Sequence, residues 1–330
     1  MYRRIADGTY LPITTAGYVI VNSSCPAYGA IDVRARMIDL AAAEWLYFGL
    51  PVLDFTLTGE FALPRAAGLD IVEPGLNFSI GERVSRRALR LGLMEDDDAV
   101  RPTFAGYWAA TGSDDALRMQ ALVNYGDPEA GWSQPWSAAF VSWLACESGL
   151  SAQQFRRSGR HIDYVRAAVA ARDGKDPMHA YIAYDLSEAR PTHGDLICAS
   201  RADAGFGSIA DIRSRGSNHL VAMHCDLVVK TDPAHGRLHA IGGNVAHAVT
   251  LSVVATHPDG RLLGDSGVIG ARRWFAVLKF RGVPDPAHDL DCTPAILGLP
   301  DSYRRYAAAV EAPMPLQLPT DADRRSAGCR

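Results

Sequence analysis

Gln134-Pro135-Trp136-Ser137-Ala138-Ala139-Phe140-Val141-Ser142-Trp143 is the stretch on which the reading of this chain turns. Apolar residues at 136, 140, 143 and 144 recur at helical spacing. Pro135 suits the entry to a helix. The pattern predicts a helix running to about Cys146, with Ser137 at or next to its first turn. Backbone N–H groups at that end have no partner within the helix, and the dipole there favours negative charge. A nucleophile so placed gains help for itself and for a developing oxyanion.

Upstream, residues 32–49 read as a helix capped by Asp32, with Val33, Met37, Leu40, Ala41, Trp45 and Phe48 along one stripe. The stretch 50–77 reads as loop, with a short strand at Val52–Leu57, and 80–93 as a helix. Glu95-Asp96-Asp97-Asp98 reads as a solvated acidic turn, since calcium needs more oxygen ligands at loop spacing than this run supplies. Short helices are predicted at 104–111 and 115–124, then a loop at 125–134. Downstream, His161–Arg172 reads as a helix and 177–188 as mixed. From Asp195 the period changes to two, and strands are predicted at 195–199, 220–230, 237–245, 249–256 and 274–280. Residues 231–236 form a hairpin connection, and 200–218 a long loop of the kind that is functional or mobile. A short helix is expected at 301–311, and the last ~15 residues are expected to lack fixed structure.

Helices followed by an antiparallel sheet make the fold class α+β. The domain reading is an N-terminal extension over 1–30, one domain over 31–285 and a proline-rich tail over 286–330. Within the domain, 31–130 is a part of helices and loops and 131–285 a catalytic-like core.

With 330 residues, 48% of them hydrophobic, and a net charge of −4, the chain gives no reason to expect a nucleic-acid partner. No apolar run approaches the ~18 residues of a membrane span. Arg3 and Arg4 precede a mildly apolar run to Val21, but Asp7, Pro12 and Gly17 interrupt it, so no export signal is assigned. As written the chain reads as cytoplasmic, or as reaching the envelope by an unmarked route. The cysteines stand at 25, 146, 198, 225, 292 and 329, with no Cys-x-x-Cys pair, which argues against zinc. Cys146, Cys198 and Cys225 lie in apolar stretches and read as small buried hydrophobes, and no disulfide framework is expected. No metal or cofactor is assigned.

Pro135-Trp136-Ser137-Ala138-Ala139-Phe140-Val141-Ser142-Trp143 resembles the nucleophile segment of the NlpC/P60 and CHAP peptidoglycan hydrolases, with serine in place of their cysteine. His193-Gly194-Asp195-Leu196 resembles their Gly-Asp-Leu turn, Met223-His224-Cys225-Asp226-Leu227-Val228-Val229 their histidine strand, and Ile241-Gly242-Gly243-Asn244-Val245 the strand carrying the polar third residue. The Ser-Ala-Ala-Phe and Gly-Gly-Asn-Val forms together resemble the bacterial domain family DUF2272. The likeness is good over residues 130–255 and loose over 30–130. It implies a papain-like core, helices packed on an antiparallel sheet, and an amide bond of peptidoglycan or a related peptide as substrate.

Strand alternation places His224 and Asp226 on one face and Cys225 on the other. If the hairpin register sets Asn244 opposite His224, the asparagine can orient the ring; sequence does not fix that register. The role assignment is Ser137 as nucleophile, His224 as base and Asn244 as orienter. An alcohol cannot rest as an anion beside an imidazolium as a thiol can, so alignment of the base becomes more critical. Trp136, Trp132, His161, Asp195, Arg201 and Asp226 are the substrate-binding candidates. Each has a plainer role: Ser137 as a helix cap, His224 as a core histidine, Asn244 as a turn residue, Asp195 as a brace for its own turn, His161 as a cap, Arg201 as a solvated charge, the tryptophans as core with Trp132 the most exposed. Two rival functions stand beside the amidase: an inactive module binding a cell-wall peptide or protein partner, and a serine esterase or acyltransferase.

Overall fold

The computed structural model describes residues 2–4, 10–14, 17–18, 25–26, 32–56, 88–89, 93–127, 130–201, 207–215, 222–264, 272–282 and 287–299. Its strands are β1 (Tyr2–Arg4), β2 (Tyr10–Thr14), β3 (Gly17–Tyr18), β4 (Val52–Asp54), β5 (Ala88–Leu89), β6 (Tyr181–Asp185), β7 (Leu196–Arg201), β8 (Met223–Asp232), β9 (Arg237–Val245), β10 (Ala248–Ala255) and β11 (Arg272–Phe280). Its helices are α1 (Val33–Tyr47), α2 (Arg101–Ala109), α3 (Asp115–Gly126), α4 (Ser137–Glu147), α5 (His161–Arg172), α6 (Ile209–Ser214) and α7 (Pro294–Leu297). The fold class is α+β, with β1–β3 in a small sheet of their own and the other strands in the order β5-β4-β10-β9-β8-β7-β11-β6.

The sheet is mixed where an antiparallel one was expected, because β4 runs parallel to β10 at its edge. All other neighbours in it are antiparallel. β6 answers to the mixed stretch 177–188, a strand too short and too flanked by charge for its period to stand out. The predicted 80–93 helix falls largely outside the described residues; of its described residues, 88–89 are strand and 93 is in no helix. The long 200–218 loop contains α6, whose Ser208 and Asp211 form a reciprocal capping box. The predicted 301–311 helix lies outside the described residues. Part of the proline-rich stretch before it packs on α1, with His288 Nε2 2.9 Å from Asp39 Oδ1.

Local chemistry explains the helices. Asp32 accepts from the Ala35 N–H at 3.1 Å and starts α1, whose Met37, Ile38, Ala41, Ala42 and Trp45 are all buried. α4 is buried on every side from Ala138 to Glu147, which is why its sequence is apolar around the whole circumference. It packs against β8 and β9 on one side and α1 and α2 on others. Trp136 stacks on Phe104 at 4.4 Å and on Phe48 at 6.0 Å, and its indole N–H donates to Glu95 Oε2 at 3.1 Å. Glu95 is therefore not a solvated acid. Its backbone N–H also donates to His247 O at 2.9 Å and its carboxylate bonds the His247 ring, tying the start of α4 to the β9–β10 hairpin.

The cysteines depart from expectation. Cys25 is bonded to Cys146 and Cys198 to Cys225, and Cys292 is disulfide-bonded as well. Cys198 and Cys225 face each other across β7 and β8, with Cα atoms 4.1 Å apart. Their apolar neighbours fit a disulfide as well as a thiol, and only the strand register reveals the pairing.

Candidate active site

Ser137 is the first residue of α4, with Trp136 in the cap position and no side-chain cap bond. Its hydroxyl is thus not spent on the backbone. It lies 2.7 Å from Nε2 of His161, the first residue of α5. His161 is likewise no cap: Arg160 holds that position. Ser137 is half-buried and His161 is 5% exposed.

The other imidazole nitrogen, His161 Nδ1, is hydrogen-bonded to the hydroxyl of Tyr164. Residues three apart on a helix share a face, so α5 presents both side chains together. Tyr164 is fully buried, packed on Phe155 at 5.1 Å between ring centroids. Burial, then the charge of Asp226 and the Tyr181 phenol, pushes its ionisation well above the usual tyrosine range, so it stays neutral.

His224 stands beside this pair, its ring centroid 5.2 Å from that of His161. Its Nε2 meets Asp226 Oδ1 at 2.5 Å, both side chains being buried. The expected face-sharing of 224 and 226 thus becomes a direct bond, and Cys225 points away into its disulfide. The sequence reading joined Ser137 to His224 and His224 to Asn244; the bonds here run from Ser137 to His161 and from His224 to Asp226. Leu227 pairs with Ile241 and Val228 with Ala240, a register that continues toward 224 opposite 244. The β9–β10 ladder, however, slips by one residue at Gly243-Asn244, and Asn244 takes φ 56°. Such a bulge re-aims a side chain. Asn244 is half-buried, and its side chain makes no hydrogen bond among the described residues.

The opposite strand makes room for the carboxylate. A Cβ on Gly242 would lie 1.8 Å from Asp226 Oδ1 and 3.0 Å from His224 Nε2. Gly242→Ala is therefore expected to push the carboxylate off the imidazole and lower stability by about 1–3 kcal/mol, as overpacking does. A urea titration, with histidine NMR for the loss of the His224 bond, checks this; wild-type stability and spectrum in the variant would refute it.

The remaining sequence candidates are placed elsewhere. Asp195 is fully buried and braces its own corner, accepting from Thr192 N at 2.7 Å and Phe280 N at 2.9 Å and bonding Lys279 Nζ. Gly194 before it has φ 86° and abuts the Arg34 side chain, which explains the Gly-Asp pair at that turn. Trp136 is core, and Trp132, expected to be the most exposed, is 5% exposed with its indole N–H on Gln134 O at 2.7 Å. Arg201 ends β7 opposite Arg272, and its side chain lies outside the described residues. Tyr164 was not singled out from sequence; its i, i+3 relation to His161 was the available signal.

Among the described residues no group of His, Cys, Asp and Glu side chains could hold a metal ion, and no helix is long and apolar enough to cross a membrane. No curated protein and no solved structure matches the chain. A family model does, over residues 98–280, its description being an uncharacterized protein conserved in bacteria (DUF2272). That span is more than half of the chain and contains Ser137, His161, Tyr164, His224 and Asp226. The protein belongs to the DUF2272 family.

Proposed function

We propose that the protein is a serine hydrolase of amide bonds in peptidoglycan or a related peptide, built on a papain-like core. The observation that carries the reading is the 2.7 Å contact between the Ser137 hydroxyl and His161 Nε2 at the first turn of a helix. As Oγ attacks the carbonyl carbon, Nε2 takes its proton. Negative charge forming on the carbonyl oxygen is met by first-turn N–H groups of α4 and its dipole. The C–N bond breaks as the proton taken from Ser137 is relayed from His161 by way of His224, the second imidazole at the centre and held by Asp226, to the leaving amine. Water then attacks the acyl carbon as His161 takes its proton, and His161 passes that proton to the Ser137 oxygen as the ester C–O bond breaks, restoring the hydroxyl.

The substrate class rests on the order of the nucleophile, Gly-Asp-Leu and histidine segments. The disulfides support it, since they persist in oxidising compartments and the cell wall lies outside the cytoplasm.

A fluorophosphonate probe is expected to label Ser137 covalently, and Ser137→Ala to abolish the labelling with the fold intact by circular dichroism. Purified peptidoglycan and a panel of p-nitrophenyl esters then separate amidase from esterase. A folded wild type that neither reacts with the probe nor digests peptidoglycan or any ester would remove the enzymatic reading and leave a binding module.

A further inference from the structure

The body of α5 packs along β6, while the segment leading into it is fastened to α4 and α2. The fastening on α4 is Ser142, fully buried and five residues beyond Ser137 on the same helix. A helical serine ordinarily returns its hydrogen to a carbonyl of its own preceding turn, as Ser148 at the end of α4 does to Ala145 O at 3.0 Å. The Ser142 hydroxyl instead donates to Ser158 O at 2.9 Å and accepts from the Ser158 N–H at 2.9 Å. The residues on either side of Ser158 are held as well. Arg157 donates to Ala110 O at 2.7 Å, and Gly159 lies so close to Trp108 that a Cβ there would fall 2.2 Å from the indole ring. The Ser158 hydroxyl accepts from the Arg160 N–H at 3.1 Å and donates to Asp163 Oδ2, on the first turn of α5, at 2.7 Å. His161 follows three residues after Ser158, a leash of about 10 Å at full extension.

We infer that Ser142 and Ser158 are positioning residues that set the Ser137–His161 contact, by fastening the approach to the base onto the helix that carries the nucleophile. This deepens the serine hydrolase reading, on which it rests for its use in chemistry but not for its geometry. Ser137 and Ser142 are separated by about 7.5 Å of helix axis. The contacts 137–161 and 142–158 therefore dock one segment on one helix at two points. α5 cannot slide along the sheet without parting the second of them, which would leave a buried hydroxyl and two backbone groups unpaired. If position 142 only had to fill the core around α4, alanine would serve, as it does at 138, 139 and 145. The hydroxyl is needed for what it holds. Such holding matters to this site because a misplacement of about 1 Å, even one caused far from the chemistry, can cost ~10²-fold in rate.

The test compares Ser142→Ala with Ser148→Ala, which removes an equally buried hydroxyl from α4 that bonds only within its own chain turn. Two quantities are read: the rate of fluorophosphonate labelling at saturating probe, and the nitrogen NMR signals of the His161 ring, assigned by their loss in His161→Gln. Those signals report the Ser137 contact without any turnover, since Ser137→Ala removes the partner of Nε2 and moves them. Ser142→Ala is expected to move them in the same direction and to slow labelling about 10–10²-fold. Ser148→Ala is expected to leave both at their wild-type values while lowering the urea midpoint. A folded Ser142→Ala protein with wild-type His161 signals, or a Ser148→Ala protein in which they move as far, would overturn the inference. Should Ser137 prove unreactive in the wild type, the hydrolase reading fails while the His161 signals still decide this one. Should Ser142→Ala fail to fold, Ser158→Ala, which cuts the bonds to Asp163 and Arg160, takes its place with the same expected and overturning results.

Discussion

His161→Ala is expected to slow fluorophosphonate labelling of Ser137 by about 10²–10⁴-fold, the range over which general bases contribute. The reason is geometric. An alcohol must lose its proton during attack, and the nitrogen at 2.7 Å from the Ser137 hydroxyl belongs to His161. Removing the ring also strips a partner from the buried Tyr164 hydroxyl, so a stability loss of about 1–3 kcal/mol is expected alongside. Stability and chemistry separate by rescue: free imidazole can occupy the vacated seat and restore part of the labelling rate without restoring the chain. His224→Ala is expected to act differently. Its ring is bonded to Asp226 and stands 5.2 Å from that of His161, so probe labelling, whose leaving group needs little proton assistance, falls less than in His161→Ala. Amide turnover, whose amine must be protonated to leave, falls more steeply than labelling. The opposite order, with labelling abolished by His224→Ala and kept in His161→Ala, would move the base to β8.

The difference between the two histidines marks the limit of what the residues alone could tell. α4 and α5 were legible because Pro135 and the apolar spacing mark one and the His161–Arg172 stripe the other. All five strands predicted from residue 195 onward were placed within a few residues, since alternation and β-branched side chains are local signals. The face shared by His224 and Asp226 followed from the same alternation, and the carboxylate's hold on the ring was within reach of it. The Ser137–His161 contact was not. It joins the first residues of two helices, 24 positions apart, and depends on how α5 settles against the sheet. The motif order pointed to the histidine strand instead, and Asn244 could be matched to a third residue only because its left-handed backbone, a property of the bulge, is invisible in sequence. Trp132 misled for a related reason: a loop before a helix suggests exposure, whereas Phe104 at 5.5 Å draws the indole into the aromatic cluster.

Replacing both Cys25 and Cys146 by alanine is expected to destabilise the protein by about 2–5 kcal/mol. The bond joins positions 121 residues apart, and the chain it closes contains α1, α2, α3 and most of α4. In the chain-entropy view a loop of that length is worth about 5 kcal/mol, against about 3.5 for the 27-residue separation of Cys198 and Cys225. The two bonds differ in a second respect. Cys146 is near the far end of α4 from Ser137, so its loss is expected to lower the urea midpoint and leave the labelling rate unchanged. Cys225 lies between His224 and Asp226 on one strand, so loss of the Cys198–Cys225 bond is expected to lower both. Cys146, Cys198 and Cys225 are fully buried, which shields the bonds from reductant until the chain opens. Protein made under reducing conditions lacks the Cys198–Cys225 bond as well, so its urea midpoint should fall below that of the Cys25→Ala/Cys146→Ala variant, and recover on oxidation. Equal midpoints for oxidised, reduced and variant protein would mean that these cross-links contribute nothing to stability. They would also remove the stability argument for a fold completed in an oxidising compartment.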